Sequence, residues 1–125
     1  MKGDNCCIRV YADVTQIERA KERIKSIETS LIDLAATMNL AGNLVRLKIL
    51  VILSEEGQVC PCDLSDVLGM KISAISQHLR KLKDGKLVSS KRTGQTIYYS
   101  VTPEYLQILR PLLSVVPKHE LLPKE

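Results

Sequence analysis

The feature that most constrains the fold is a change of apolar period near residue 87. The apolar residues between positions 72 and 82 recur every three or four positions, which predicts a helix. Beyond it, 87–92 and 96–101 are two short strand candidates. They flank Thr93-Gly94-Gln95, a sequence typical of a hairpin turn. The pattern predicts a mainly α, α+β fold in which one β-hairpin follows several helices.

Helix start and stop signals divide the rest of the chain. Thr15-Gln16-Ile17-Glu18 has the form of a capping box and predicts the start of the first helix, either continuous to Met38 or broken near 26–30. The other predicted helices are 44–54 capped by Asn43, 63–68 ended by Gly69, 73–83 opened by Ser73 and stopped by Asp84-Gly85, and a last one with Thr102 as N-cap and Pro103 at its first position. The residues predicted to face inward are Leu47, Leu50 and Val51 in the second helix and Ile72, Ile75, Leu79 and Leu82 in the fourth.

Two apolar surfaces exceed what a single chain needs. The chain has 125 residues and neither Trp nor Phe, so its core is built from Leu, Ile and Val and is small. An apolar stripe runs from Ile17 to Met38, and the segment from Tyr105 to Val116 is apolar on more than one face. These surpluses predict a homodimer with N- and C-terminal dimerisation helices.

The order of the elements is that of a winged helix–turn–helix. The recognition helix is predicted at about 73–83 and the wing at about 87–101. Small hydroxyl residues let such a helix enter the major groove, Gln reads base edges and basic residues hold phosphates, which predicts double-stranded DNA as the partner. The residues predicted to contact DNA are Lys71, Ser73, Ala74, Ser76, Gln77, His78, Arg80, Lys81, Lys91, Arg92, Thr93, Gly94 and Gln95. For His78, a half-buried position on the helix surface is the alternative interpretation.

The distribution of charge supports this interpretation. The net charge is +4, and the segment 71–92 holds seven basic residues against Asp84 alone. A basic segment in a chain that is otherwise slightly acidic indicates a local anionic partner. An ordinary α+β domain with a basic, solvated surface is the alternative.

The four cysteines occur as two pairs, Cys6-Cys7 and Cys60-Pro61-Cys62. Thiolates favour soft metal ions, and such sites use three or four ligands, so both pairs are candidate ligands. A thiol redox switch and a set of inert packing residues are the alternatives.

Three stretches resemble the ArsR/SmtB family of metal-sensing repressors: Leu44-Val45-Arg46-Leu47-Lys48-Ile49-Leu50, Val59-Cys60-Pro61-Cys62-Asp63-Leu64 and Ser73-Ala74-Ile75-Ser76-Gln77-His78-Leu79. The cysteines resemble those of the cadmium- and lead-sensing CadC group. The resemblance implies an operator-binding homodimer of a metal-resistance operon, released by Cd, Pb, Zn or Hg. Trivalent arsenic is disfavoured because the family's third local cysteine is Ser65 here.

Other classes of protein find little support. A cysteine nucleophile needs a nearby histidine, and the chain has no phosphate-binding glycine loop, so an enzyme is not expected. The longest apolar run, Ile49–Leu53, is too short to span a bilayer, and no signal peptide is recognisable, which predicts a cytoplasmic protein without membrane contact. The predicted division is a flexible metal-ligand arm at 1–13, a winged helix–turn–helix domain at 14–116 and a tail at 117–125.

Overall fold

The computed structural model describes residues 10–117. In chain order these residues form α1 (Val14–Ala41), α2 (Leu44–Glu56), α3 (Pro61–Leu68), α4 (Ile72–Asp84), β1 (Val88–Thr93), β2 (Thr96–Val101) and α5 (Pro103–Leu113). The predicted mainly helical fold with one antiparallel hairpin is therefore confirmed. The chain divides into two compact units, Met1–Ala35 and Ala36–Glu125, and α1 begins in the first unit and ends in the second.

The first helix is longer and simpler than predicted. It runs for 28 residues without a break, so the interruption near 26–30 does not occur. Its N-terminus is capped by Asp13, whose Oδ1 accepts from the backbone N–H of Gln16 at 2.9 Å. The capping box predicted at Thr15 is wrong because the helix already begins at Val14 and Asp13, two residues before Thr15, supplies the capping side chain. None of the α1 side chains is buried.

The core lies in the second unit and is built from aliphatic side chains of every later element. In α2, the predicted inward positions Leu47 and Val51 are only half-buried, whereas Ile49 and Leu53 join Leu50 in the core. The helix turns a different face inward from the one predicted because α4, β2 and α5 all pack against it. The largest fully buried side chains are Ile49, Leu50, Leu53, Leu64, Ile75, Leu79, Leu82, Leu87 and Leu109.

Three helix ends test the predicted caps. Asn43 caps α2, since its Oδ1 accepts from the backbone N–H of Arg46 at 3.0 Å. Gly69 ends α3 in the left-handed conformation, with φ of 64°, where a side chain would be strained. Ser73 does not open α4: the N-cap is Lys71, which supplies only its backbone, so Ser73 lies inside the first turn.

The strands of the hairpin agree with the predicted bounds to within one residue. The strands pair antiparallel from Val88 opposite Val101 to Thr93 opposite Thr96, and Gly94 turns with a φ of 66°. The first strand begins one residue later than predicted because the backbone N–H of Leu87 still donates to Leu82 at the end of α4.

The last helix divides its apolar residues between two environments. Tyr105 and Leu109 are buried in the core of the same chain, 5% and 1% exposed, whereas Ile108 and Leu112 are 40% and 53% exposed. The helix ends at Leu113 rather than near Val116. Only part of the surplus apolar surface that the sequence predicts for this segment is therefore exposed.

Membrane-spanning potential is low in the described part of the chain. No single helix among residues 10–117 is long and apolar enough to cross a bilayer, and only α1 and α2 counted together across their bend meet that test of length and composition.

Candidate nucleic-acid interface and cysteine pair

One polar face of α4 carries most of the predicted DNA-contacting residues. Ser73, Ser76, Gln77 and Arg80 are all exposed and are spaced three or four residues apart, so they lie along one side of the helix. The opposite side holds Ile75, Leu79 and Leu82, each 0% exposed. Ile72, predicted to be inward, is 47% exposed because it begins the helix ahead of the packed turns. Lys71 and Lys81 are exposed and Ala74 is half-buried.

The far end of the hairpin supplies a second basic surface. Lys91 and Arg92 are exposed in β1, and Thr93, Gly94 and Gln95 at the turn are exposed as well. Side chains alternate across a strand, so Arg92 shares its face with Ser90 and Lys91 points to the other face. Ser90 accepts a hydrogen bond from Lys83 at 2.7 Å, which directs the Arg92 face of the hairpin toward α4.

A groove between α4 and the hairpin joins these two surfaces. It is lined by Ser76, Gln77, Arg80, Lys83, Asp84 and Tyr99. Lys83 and Tyr99 were not among the predicted contacts, although both lie in the predicted recognition helix and wing. For Lys83, its position in the basic segment 71–92 was the one sequence signal that could have indicated a contact with DNA. The contact of Tyr99 with α4 arises only when the hairpin folds back.

His78 lies beside the exposed face, half-buried between α4 and α2. Its Nδ1 is 3.4 Å from Nη1 of Arg46. Burial, followed by the charges of Arg46 and Lys81, lowers the pKa of His78 below its ordinary value of 6.5. The observed burial of His78 agrees with the alternative interpretation, a half-buried position on the helix surface.

Cys60 and Cys62 lie at the start of α3. Cys60 is the N-cap and makes no capping hydrogen bond through its side chain, Pro61 is the first helical residue, and Cys62 is exposed in the first turn. Both are free thiols. Cys6 and Cys7 lie outside the described residues. Within residues 10–117, no three His, Cys, Asp or Glu side chains are grouped closely enough to hold a metal ion.

The hydroxyl of Ser65 is already engaged. It donates to the carbonyl oxygen of Met70 across the turn between α3 and α4. The backbone N–H of Met70 donates in return to the carbonyl of Ser65 at 3.1 Å. These two bonds connect the second half of α3 to the turn that precedes α4.

Acidic residues surround the other side of α3. A cavity of about 500 Å³ is lined by Ile52, Glu55, Glu56, Gln58, Val59, Asp63, Asp66, Val67 and Tyr98. Its carboxylates would repel phosphates, so an anionic polymer is directed toward α4 and the hairpin instead.

The geometry defines a winged helix–turn–helix, and comparison with known proteins places it in a family. Residues 44–90 match the family described as bacterial regulatory protein, arsR family. A cadmium resistance transcriptional regulatory protein CadC homolog from Staphylococcus aureus is 28% identical over 109 residues, covering 87% of this chain and 88% of that protein.

Two solved structures agree with this fold. The transcriptional repressor PagR of Bacillus anthracis is 31% identical with a TM-score of 0.61, covering 68% of this chain and 98% of PagR. A homodimeric winged helix–turn–helix DNA-binding domain from Mycobacterium bovis, described as a possible ArsR-family transcriptional regulator, is 29% identical with a TM-score of 0.64, covering 77% of this chain and 88% of that domain. Residues 44–90 therefore form a helix–turn–helix domain of the ArsR family of bacterial regulatory proteins.

Proposed function

We propose that the chain is a homodimeric repressor of a metal-resistance operon, released from its operator by a soft metal ion bound to cysteine thiolates. The observation that carries the DNA-binding part is the polar face of α4, which lines one groove together with Tyr99 of the hairpin. The metal part rests on the two free thiols at the start of the helix that precedes α4. The cadmium resistance protein similar to this chain supports the same assignment.

The residues of α4 and the hairpin have distinct roles in this proposal. Ser73, Ser76 and Gln77 donate to and accept from base edges, and the small Ala74 permits close approach of the helix. The tip formed by Thr93, Gly94 and Gln95 follows the DNA backbone or its minor groove. Phosphates are held by the basic residues Lys71, Arg80, Lys81, Lys91 and Arg92.

Dimer formation follows from apolar surface that the single chain leaves uncovered. In α1, Ile24, Leu31 and Met38 are 50%, 38% and 59% exposed, and in α5 Ile108 and Leu112 are exposed too. Apolar patches of this kind mark protein–protein interfaces. The similarity to a homodimeric domain from Mycobacterium bovis supports a homodimer here. A dimer presents two recognition helices to half-sites about one helical turn of DNA apart.

The two described cysteines fit a soft cation, but they supply only part of the ligands that such a site needs. Cys60 and Cys62 supply two sulfur ligands, whereas tetrahedral or trigonal thiolate sites use three or four. We assign the remaining ligands to Cys6 and Cys7 on the N-terminal segment. A soft metal ion would form strong bonds to the deprotonated sulfur atoms. Cd, Pb, Zn and Hg are the ions that fit thiolate ligands best. Arsenic is disfavoured because Ser65 replaces a third local thiol and is hydrogen-bonded to Met70.

The route from the cysteines to DNA runs through α3. Cys60 is the N-cap of that helix, Leu64 is fully buried, and Ser65 is bonded to Met70 just before α4 begins. A displacement at the N-terminus of α3 is therefore transmitted to the recognition helix. Ligand and DNA each favour a different arrangement, so each lowers the affinity for the other by the same factor.

The test is a titration of DNA-bound protein with Cd(II), Pb(II) and Hg(II) in reductant, following both DNA release and the ultraviolet absorption of thiolate–metal bonds. Cys60→Ser and Cys62→Ser are expected to bind DNA but to lose release by metal. Cys6→Ser with Cys7→Ser is expected to lower metal affinity and the number of bound sulfurs. Ser54→Ala, which alters a hydroxyl in the preceding helix, is the matched control and keeps the response.

Two outcomes would contradict the metal part. One is a variant with all four cysteines replaced by serine that still leaves DNA when a soft metal is added. The other is release by a mild oxidant without metal and no response to metal in reductant, which is the behaviour of a thiol redox switch.

A further inference from the structure

Arg46 connects the recognition helix to the end of α1 and the start of α2. Its Nε donates to the carbonyl oxygen of Leu40 at the end of α1, at 2.7 Å. Its backbone N–H donates to the capping side chain of Asn43 at 3.0 Å. Its Nη1 lies 3.4 Å from Nδ1 of His78 on α4. The guanidinium therefore connects α4 to the corner formed by the end of α1 and the start of α2.

The contact between Arg46 and His78 fixes the protonation state of the imidazole. A guanidinium has only donors, so Nδ1 of His78 must accept, which requires the neutral ring with its proton on Nε2. The charged groups that act on His78 are Arg46 from α2 and Lys81 from its own helix, and both are cations. Neither α3 nor β1, which also pack on α4, contributes a charged group among the described residues.

A second contact fixes the other end of α4 against the same corner. The Cδ1 atom of Leu40 lies so close to Gly85 that a β-carbon at Gly85 would collide with it. The apolar face of α4 packs without strong directional preference, whereas a hydrogen bond fixes distance and angle. Arg46 at one point and Leu40 at another therefore define both the rotation and the position of the helix.

The rotation of α4 determines which side chains reach DNA. His78 directly follows Gln77, and it lies between Ala74 and Lys81 on the flank of the helix next to the exposed face. Turning the helix about its axis to separate His78 from Arg46 would move Gln77 and Arg80 along with it. A change in this one contact thus alters the whole proposed reading face.

We infer that Arg46 and neutral His78 are positioning residues that set the recognition helix for DNA binding, and that protonation of His78 weakens that binding. The inference rests on the proposed function, since it concerns how α4 binds DNA. When His78 gains a proton, its Nδ1 can no longer accept, and two cations then face each other at 3.4 Å. The contact is lost and the helix is released from its corner.

A direct contact between His78 and DNA would give the opposite dependence on pH. In that case, protonation adds a positive charge to the DNA-facing surface, and affinity rises as the pH falls. With His78 as a positioning residue, affinity falls as the pH decreases below the ordinary histidine pKa of 6.5. The sign of the pH dependence therefore separates the two roles.

The experiment uses the full chain with His119 replaced by Asn, which leaves His78 as the one histidine. The probe is a DNA duplex selected from random sequence by this parent at pH 7.5, and affinity is measured from pH 7.5 to 5.5. The parent is expected to lose affinity by about threefold over this range, because a His78 pKa below 6.5 keeps the loss at pH 5.5 under about tenfold. Arg46→Gln and His78→Ala are expected to bind about tenfold more weakly at pH 7.5, with little further change. His78→Asn, whose amide oxygen can accept from Arg46 without titrating, restores most of that loss and removes the pH dependence.

A second measurement is independent of DNA. Titration of the His78 ring by NMR in the free protein is expected to give a pKa below the ordinary value in the parent and a higher pKa in Arg46→Gln. If the selection yields no duplex, the proposed function fails while this titration still tests the pair. A His78→Asn profile that matches the parent, an affinity that rises as the pH falls, or a His78 pKa that does not respond to Arg46→Gln would each overturn the inference.

Discussion

Two helices of this chain have the same apolar period and different surroundings. In α4, the stripe Ile75, Leu79 and Leu82 is 0% exposed. In α1, Leu31 and Leu34 belong to a stripe of the same spacing and are 38% and 40% exposed. Periodicity reports that one face of a helix is apolar, and it does not report whether that face is covered by the same chain or by another. The α4 stripe stabilises the core, whereas the α1 stripe is available for a second subunit.

The strongest test of this comparison is a glutamate in the buried stripe. Leu79→Glu removes a fully buried leucine and introduces an unpaired charge, each of which costs several kcal/mol. The sum approaches the whole stability of a domain, about 5–15 kcal/mol, so the core is expected to unfold. Circular dichroism and thermal melting measure this directly. A cooperative melt at the temperature of the parent would show that α4 is not packed as described.

The same substitution in the exposed stripe is expected to act on assembly instead. Leu31→Glu would bury a charge at the dimer interface, weakening the dimer by about 3–5 kcal/mol, or more than a hundredfold in dissociation constant. Sedimentation should give a monomer whose helical content is largely retained and whose DNA affinity is reduced. Thr29→Glu, exposed on the opposite side of α1, is the matched control and should remain a dimer. If the Leu31→Glu variant remained a dimer, α1 would not be part of the dimer interface.

A smaller effect is expected on the polar face of α4. Gln77→Ala should reduce the preference for the selected duplex over random DNA by about 1–3 kcal/mol, because the proposed base contact is lost. Arg80→Ala, one turn away, should instead weaken binding to all DNA and make the salt dependence shallower by about 1 in slope. Filter binding at several salt concentrations distinguishes the two. If both variants change only the salt slope, the face holds phosphates and does not read bases.

The smallest predicted effect concerns the end of α4. Lys86 adopts a φ of 66°, in the left-handed region, whereas the neighbouring Gly85 does not. Lys86→Gly is expected to raise the free energy of unfolding by about 1 kcal/mol because the strain of a side chain in this conformation is removed. Lys86→Ala retains the strain and removes the charge, so an equal gain in both variants would contradict the conformational explanation. Urea denaturation measures the difference.

The lowered pKa of His78 also predicts how stability depends on pH. The unfolded chain binds a proton at His78 near the ordinary value of 6.5, whereas the folded chain binds it only at lower pH. The free energy of unfolding should therefore be highest above pH 6.5 and decrease as the pH falls below it. Urea denaturation at pH 7.5 and 5.5 tests this, and His78→Asn should reduce the loss.

Much of the fold was predictable because local signals determine it. The cap at Asn43, the left-handed Gly69 and the hairpin around Gly94 each depend on a few neighbouring residues, and all three were predicted correctly. The fourth helix was predicted to within a residue at each end for the same reason. The metal ligands and DNA contacts were predicted from residue chemistry and family resemblance, and they remain predictions.

The errors lie where distant parts of the chain meet. The inward face of α2 was misassigned because the helix is apolar on several sides, and only the positions of α4, β2 and α5 select Ile49 and Leu53. The segment from Tyr105 to Val116 was predicted to carry surplus apolar surface, yet the core of the same chain covers Tyr105 and Leu109 within it. Ser73 was predicted as a cap, but the turn between α3 and α4 is held by Ser65 and Met70 instead.

The sequence by itself determined the order of the helices and the hairpin, the basic character of the 71–92 segment and the close spacing of the cysteines along the chain. Each of these depends on residues that are near one another in the sequence. The tertiary structure decided which apolar faces are covered, that Lys83 and Tyr99 line the groove beside α4, and that His78 is bound to Arg46, 32 residues away. Contacts over such distances depend on the packing of whole elements, which no local pattern encodes.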